Sequence, residues 1–341
     1  MHTDYPQQTI DLYQSLLETS LRQLPFDASS TDAFQKWQRK ARKQIRAILG
    51  PMPEEKIDFQ LERKVVKETD SYIQERAVYF TRPGLQATAY ILTPRKLSSS
   101  APGILALHGH GREGKEGTVD PDSIYSGFAR QLVEAGCIVL APDQIGSGER
   151  SLKEDRVNYS VLIHGLNMLG HSLIGVRYWD LVRALDLLQA QEGVDRKRIG
   201  VMGLSLGGEM TMFLSALQSR VKASVVCGYL TSHRHTFLHE NHCTCGYLPG
   251  LAKYFEHIDL AALLAPRPLF LDSGKRDGSF PWQDAQALVK ELRAVYRLHE
   301  RPRSHLGIEI HDGGHSIAGK KSIPWLVRRL KEDPPLPQGA M

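Results

Sequence analysis

The residues best suited to chemistry centre on Gly203-Leu204-Ser205-Leu206-Gly207, a G-x-S-x-G in the stretch RIGVMGLSLGGEM. An apolar strand from Ile199 to Met202 leads in and a helical segment from about Leu206 leads out, so the serine stands at a tight strand-to-helix turn. That turn lifts the hydroxyl clear of the sheet, beside backbone N–H groups at a helix N-terminus. A serine hydroxyl is a weak nucleophile near neutral pH and needs a base, which in turn needs an orienting acid. Both are available downstream, each in a loop after an apolar strand: Asp277 in KRDGSFPW after RPLFLDSG, and His315 after GIEIHDGG. Asp272 lies inside its strand pattern and His311 ends one, which makes them the weaker candidates. Acyl transfer also needs donors for the oxyanion, each worth roughly 10²–10³ in rate. The Leu206 amide comes with the turn, and the backbone N–H of His110 in HGHGREGKEG is the second candidate. His108 reads as a structural hydrogen-bonder beneath that loop.

A second cluster, HRHTFLHENHCTC from His233 to Cys245, brings zinc to mind. The set His239, His242, Cys243 and Cys245 is the candidate. Its cysteines are separated by one residue, where two to four is usual, and no second ligand pair stands at a distance. The expectation is therefore no metal and no cofactor. The stretch follows the strand ASVVCGYL, and loops at the C-terminal ends of parallel strands are where α/β sheets bind ligands. It is expected to overhang Ser205, with His239, His242 and Tyr247 shaping the substrate pocket and Trp282 lining it beyond the acid.

The elements that must position these groups follow from periodicity. Residues 1 to about 60 read as a helical extension, and ERAVYFT and ATAYILTP as a hairpin around RPGL. Then GILALHG, CIVLAPD, RIGVMGLS, ASVVCGY, RPLFLDSG and GIEIHDGG alternate with helical segments. Strands that are apolar almost throughout are buried on both faces, as a mostly parallel sheet covered by helices requires. The division is 1–60 extension, 61–330 α/β domain and 331–341 loose tail.

Composition bounds the function classes. Across 341 residues, 41% hydrophobic and 24% charged, the chain has globular proportions. No apolar run reaches about 18 residues, so no membrane partner is expected. The polar start MHTDYPQQ lacks a signal-peptide pattern, and cytoplasmic residence is the expectation. Four cysteines are too few and too unevenly spaced for a disulfide framework. The net charge of +5 is mild. Its densest cluster, KWQRKARKQIR from Lys36 to Arg46, reads as one face of an amphipathic helix; no nucleic-acid partner is expected. The N-terminal helices are candidate surfaces for a homo-oligomer.

With turn, oxyanion loop, acid and base in this order, the chain resembles the α/β-hydrolase superfamily over about residues 75 to 330. Within it the chain is similar to the bacterial dienelactone hydrolase and acetyl xylan esterase-like branch, on PDQIGSGER, VDRKRIGVMGLSLGG, LAPRPLFLDSGKRDGSFP and DGGHS. The resemblance implies Ser205 as nucleophile, His315 as base and Asp277 as acid. It implies a serine esterase acting on a small-molecule carboxylic ester, acetyl or other short acyl, through an acyl-enzyme. Leu206, Ser316 and Asp143-Gln144 depart from the best-defined acetyl xylan esterases, which have Gln after the nucleophile, Glu after the base histidine and an Arg-Gly-Gln segment. Serine in place of cysteine departs from dienelactone hydrolases. Two alternatives stay open at this point: a peptidase of the same fold acting on amides, and a metal-dependent hydrolase built on the loop from His239 to Cys245.

Overall fold

The computed structural model of the protein describes residues 5–97, 100–152, 159–239, 241–301 and 303–332. Nine strands form one sheet: β1 (Glu62–Glu68), β2 (Tyr72–Arg82), β3 (Leu85–Pro94), β4 (Ala101–Leu107), β5 (Ile138–Pro142), β6 (Val194–Leu204), β7 (Val221–Cys227), β8 (Leu269–Gly274) and β9 (Leu306–His311). Their order is β1-β2-β3-β5-β4-β6-β7-β8-β9. From β5 to β9 every pairing is parallel, while β1, β2 and β3 add antiparallel pairs at one edge.

The helices are α1 (Tyr5–Thr19), α2 (Thr31–Leu49), α3 (Lys115–Val119), α4 (Phe128–Glu134), α5 (Tyr159–Met168), α6 (Leu173–Ala190), α7 (Leu206–Leu217), α8 (Leu251–Tyr254), α9 (His257–Ala262), α10 (Trp282–Leu298) and α11 (Ser322–Glu332). They cover both faces of the sheet. One apolar cluster joins α2, α6, α7, α9 and α10 to one face; another joins α4 and α11 to the opposite face. This is an α/β-hydrolase fold with a mostly parallel central sheet.

Burial explains why the strands were readable. β4 and β5 are buried at every position, as parallel strands beneath helices must be. β1 was not anticipated: all seven of its residues are exposed, so it carries no apolar period. The helical reading of residues 1–60 also needs correction. Two helices are described, with 20–30 irregular between them, and 50–61 is irregular as the stop at GPMPEE implies: Gly50 at φ 91° ends α2 and Pro51 and Pro53 follow.

The basic cluster in α2 is an amphipathic face, with Phe34, Trp37, Ala41, Ile45 and Leu49 buried and Ser30 capping the Ala33 amide. Its Arg42 reaches inward, donating to the carbonyls of Ala216 and Leu263 at 2.9 and 3.0 Å. The extension is thereby packed into the same core as the sheet. Among the described residues no helix is long and apolar enough to cross a membrane. The loose tail expected from 331 begins later, since Lys331 and Glu332 still belong to α11, and residues from 333 onward lie outside the described residues.

The segment between β7 and α9 is held at its far end by Glu256. Its carboxylate caps α9, accepts from the His233 amide at 2.6 Å and lies 2.9 Å from His233 Nδ1. Burial alone would raise its pKa, but the hydrogen bond and charge of His233 outweigh this and bring it down to about 2. A depressed carboxylate contributes stability that is complete above the unfolded value of 4.5 and is lost as pH falls towards 2. Glu256→Gln should accordingly lower Tm at pH 7, and the gap to the parent should narrow from pH 4.5 downwards and close towards pH 2. A gap independent of pH would show that the charge of Glu256 is not what stabilises the segment.

Candidate active site

Ser205 joins β6 to α7 at φ 59° and ψ −122°, a conformation that costs a non-glycine residue of order 1–3 kcal/mol. The surroundings enforce it. The Ser205 amide donates to Cys227 O at 2.9 Å and its carbonyl accepts from the Glu209 amide at 2.8 Å. The turn is compressed enough that a methyl on Gly203 would lie 2.4 Å from Gly207 O, and one on Gly207 2.1 Å from Leu107 O. Between Ile199 and Leu217 every residue is buried except Ser205.

Asp277 and His315 are brought together from loops after β8 and β9, with His315 Nδ1 2.7 Å from Asp277 Oδ2. The other oxygen of Asp277 accepts from the amides of Ser279 and Phe280 at 2.9 and 3.1 Å. Its carboxylate is almost wholly buried, whereas the His315 side chain keeps 30% of its surface. The Phe280 ring stacks on His315 with centroids 5.6 Å apart. Gly228 lets the base approach: it follows Cys227, the acceptor of the Ser205 amide, and a methyl on it would lie 3.2 Å from His315 Nδ1.

The two rival residues have other employment. Asp272, inside β8, accepts from Ser322 Oγ at 2.8 Å and the Gly319 amide at 3.2 Å, and its remaining oxygen lies 3.4 Å from His311 Nε2.

The loop after β4 comes over the serine, since a methyl on Gly109 would lie 3.1 Å from Ser205 Cβ. The Gly109 amide is already committed to Tyr125 Oη at 2.9 Å. His108 is fully buried and structural. The Gln144 amide donates to its Nε2 at 2.9 Å, so the ring proton sits on Nδ1 and is donated to Gly109 O at 2.7 Å. Burial pushes its pKa down to about 4, which keeps the ring neutral. Gln144 Nε2 closes the pair by donating to His108 O at 2.7 Å.

Beyond Gly111 the loop is anchored by an ion pair. Lys115 Nζ meets Asp143 Oδ2 at 2.7 Å, and both side chains are buried. Thr88 Oγ1 and the Lys115 amide also donate to that carboxylate, at 2.7 and 2.8 Å. Removing one partner of such a pair leaves an uncompensated charge, which costs about 3–5 kcal/mol. Lys115→Met should therefore lower the unfolding free energy read from urea denaturation by that amount and loosen the loop over Ser205. A shift below about 1 kcal/mol would mean that the pair is not what anchors the loop.

The remaining expected contacts divide. His242 stacks on Phe237 with centroids 4.6 Å apart and lies 5.6 Å from Phe280, so an aromatic chain runs from His315 through Phe280 to the loop after β7. Tyr247 packs edge-on against Phe237 and donates its hydroxyl to Phe237 O at 3.1 Å, an internal tie of that loop. His239 is exposed, its amide donating to Thr236 O at 3.0 Å. Trp282 is half-buried at the start of α10. Leu206 is the first residue of α7, and the exposed His110 turns its ring towards Cys245, with Nδ1 3.7 Å from Sγ. The zinc set considered from sequence does not gather. Cys243 and Cys245 meet His110, without His239 or His242.

Three residues near the site escaped the sequence reading. Tyr125 supports the loop after β4 by accepting from the Gly109 amide. Glu209, one turn into α7, is buried with its pKa raised by that burial and accepts from Tyr229 Oη at 3.2 Å. Arg177, from α6, donates to Ile145 O at 2.9 Å and Cys245 O at 3.4 Å. A polar residue within an otherwise apolar helical stretch was the available signal for Glu209 and Arg177.

Comparison with known proteins agrees with this architecture. Residues 8–312 match the model of the Abhydrolase family. A protein of Bacillus subtilis (strain 168) named "Putative hydrolase YtaP" is 30% identical over 270 residues, which span 75% of this chain and 86% of that one. Among solved structures, a Bacteroides fragilis protein described as a "putative acetyl xylan esterase" superposes with a TM-score of 0.77 at 20% identity, covering 93% of this chain and 94% of its own. A glucuronoyl esterase from Teredinibacter turnerae superposes with a TM-score of 0.66 at 16% identity, covering 92% and 90%.

Proposed function

We propose that this chain, which belongs to the Abhydrolase family, is a serine esterase that cleaves short acyl esters through an acyl-enzyme. The observation that carries the reading is the 2.7 Å contact between His315 Nδ1 and Asp277 Oδ2, beside a serine held in a strained turn. Support also comes from the fold, which this chain has in common with structures named as acetyl xylan and glucuronoyl esterases.

In the reaction, His315 Nε2 takes the Ser205 proton as Oγ attacks the ester carbonyl carbon. Asp277 holds the ring with its other nitrogen towards the carboxylate and stabilises the imidazolium that forms. The amides of Leu206 and His110 receive the oxyanion. Collapse breaks the bond to the alcohol oxygen, which leaves with the proton from His315. Water then gives a proton to His315 and attacks the acyl-serine; the acid departs and Ser205 regains its proton. No step calls for a metal.

Leu206, Ser316 and Asp143 stand where the best-defined sugar deacetylases carry other residues. Asp143 is committed to Lys115 and Gln144 to His108. The proposal therefore rests on the acyl side, with acetyl to butyryl groups as substrates, and leaves the alcohol to a panel. A fluorophosphonate should label Ser205 stoichiometrically, and nitrophenyl esters graded by acyl length should turn over fastest at the short end. Absence of labelling would overturn the reading, and faster cleavage of matched amides would transfer it to a peptidase.

A further inference from the structure

We propose that the imidazole of His110 and the thiolates of Cys243 and Cys245 form a site for a thiophilic divalent cation of the zinc type, which ties the loop after β7 to the loop after β4. The three ligand atoms all lie within 4.8 Å of one another. His110 Nδ1 is 3.7 Å and Nε2 4.0 Å from Cys245 Sγ. A tetrahedral zinc with Zn–S of about 2.3 Å and Zn–N of about 2.0–2.1 Å sets its sulfur and nitrogen ligands about 3.6 Å apart. The observed separation is therefore the edge of a coordination tetrahedron to within a small ring adjustment.

Two objections raised by the sequence alone are met by the fold. The single-residue spacing of the cysteines is accommodated by a tight turn, in which the Gly246 amide donates to Cys243 O at 3.0 Å and the Tyr247 amide to Thr244 O at 3.2 Å. In place of a distant pair the fold supplies one distant ligand, His110, 135 residues before Cys245, and leaves the fourth position to water. Supporting groups hold the backbone as well: Arg177 bonds Cys245 O, and Tyr125 bonds the amide next to His110. Charge is also matched, because two thiolates neutralise a dication that the Arg177 guanidinium would otherwise repel. Cys245 is buried while Cys243 and His110 are exposed, so an ion can enter from solvent and keep a water in its fourth position.

A second group, His233, Glu256 and His257, is equally close together but already satisfied internally. His233 pairs with Glu256 at 2.9 Å, while His257 faces Thr231 O at 2.9 Å and Tyr229 Oη at 3.2 Å. A cation there would have to break all three contacts; at His110 it displaces thiol contacts, those of Cys245 with the His110 ring, the Cys243 thiol and the Tyr159 hydroxyl.

The consequence for catalysis rests on the esterase reading: an ion on the His110 ring fixes the loop whose amide is assigned to the oxyanion. The binding claim itself does not depend on that reading. The test is a titration of the full-length, metal-free, reduced protein with Co²⁺. One equivalent should produce the intense visible bands of tetrahedral cobalt together with sulfur-to-cobalt charge transfer, and Zn²⁺ should displace them. Cys243→Ser, a change at an exposed position, should weaken cobalt binding by more than about 100-fold, beyond the 10–100-fold cost of outer-sphere changes. The absence of saturable binding, an octahedral spectrum, or unchanged affinity in C243S would each overturn the site. Fluorophosphonate labelling of Ser205 in the same samples separates the two claims. Labelling without cobalt bands removes the metal site alone, and bands without labelling remove the esterase alone.

Discussion

Ser205→Ala is expected to lower kcat on nitrophenyl acetate by about 10⁶-fold, the scale set by removal of the nucleophile from a serine triad. KM and the unfolding midpoint should hardly move. Alanine at φ 59° carries the same backbone penalty as serine, and the amide and carbonyl bonds to Cys227 and Glu209 do not involve the side chain. The comparison therefore isolates the hydroxyl. Turnover within about tenfold of the parent would take Ser205 out of the reaction and leave the strain at this turn without a catalytic explanation.

Asp277→Asn is the second large effect, a fall in kcat of about 10⁴-fold. The donors around the carboxylate decide the effect. Asp277 accepts from two amides, those of Ser279 and Phe280, on one oxygen and faces His315 on the other. An asparagine has one acceptor and one donor end. With its oxygen towards the two amides, its NH₂ meets His315 Nδ1 and forces the proton to Nε2, where the base must be bare. Turned round, its NH₂ collides with two N–H groups. Asp272→Asn is the control. It should lower stability through the contacts with Ser322 and Gly319 while leaving kcat within about tenfold, because a surplus of such contacts is felt in folding. The reverse pattern would reassign the acid.

The architecture was legible wherever burial imposed a pattern. Strands are apolar where helical layers cover them, so β4, β5 and the buried stretches of β6, β7 and β8 announced themselves, whereas β1 has no buried face and left no trace. Chain order exposed Ser205, Asp277 and His315, because each follows a strand that burial makes visible. Contacts between loops were another matter. That Lys115 would pair with Asp143, or that His110 would meet Cys245, depends on the path of two loops over the sheet edge, and no local period encodes that path. Tyr247 shows the complementary limit. Its residue type fits a substrate contact, but its hydroxyl is spent inside its own loop.

The exposed strand β1 bears on how these molecules meet one another. A free sheet edge invites a second copy to add its own edge, strand to antiparallel strand. In the register that lays all seven residues on their copy, Glu62 would oppose Glu68 and Arg63 would oppose Lys67, and like charges directly across a ladder are unfavourable. Arg63 is moreover engaged with Glu75, and Arg95 with Glu68, so recruitment of those charges by a neighbour would first break contacts within the chain. Growth of the sheet past β1 in that register is thus discouraged by like charges and by the ion pairs already made within the chain. Crowded molecules would slide past one another at this rim and not polymerise along it.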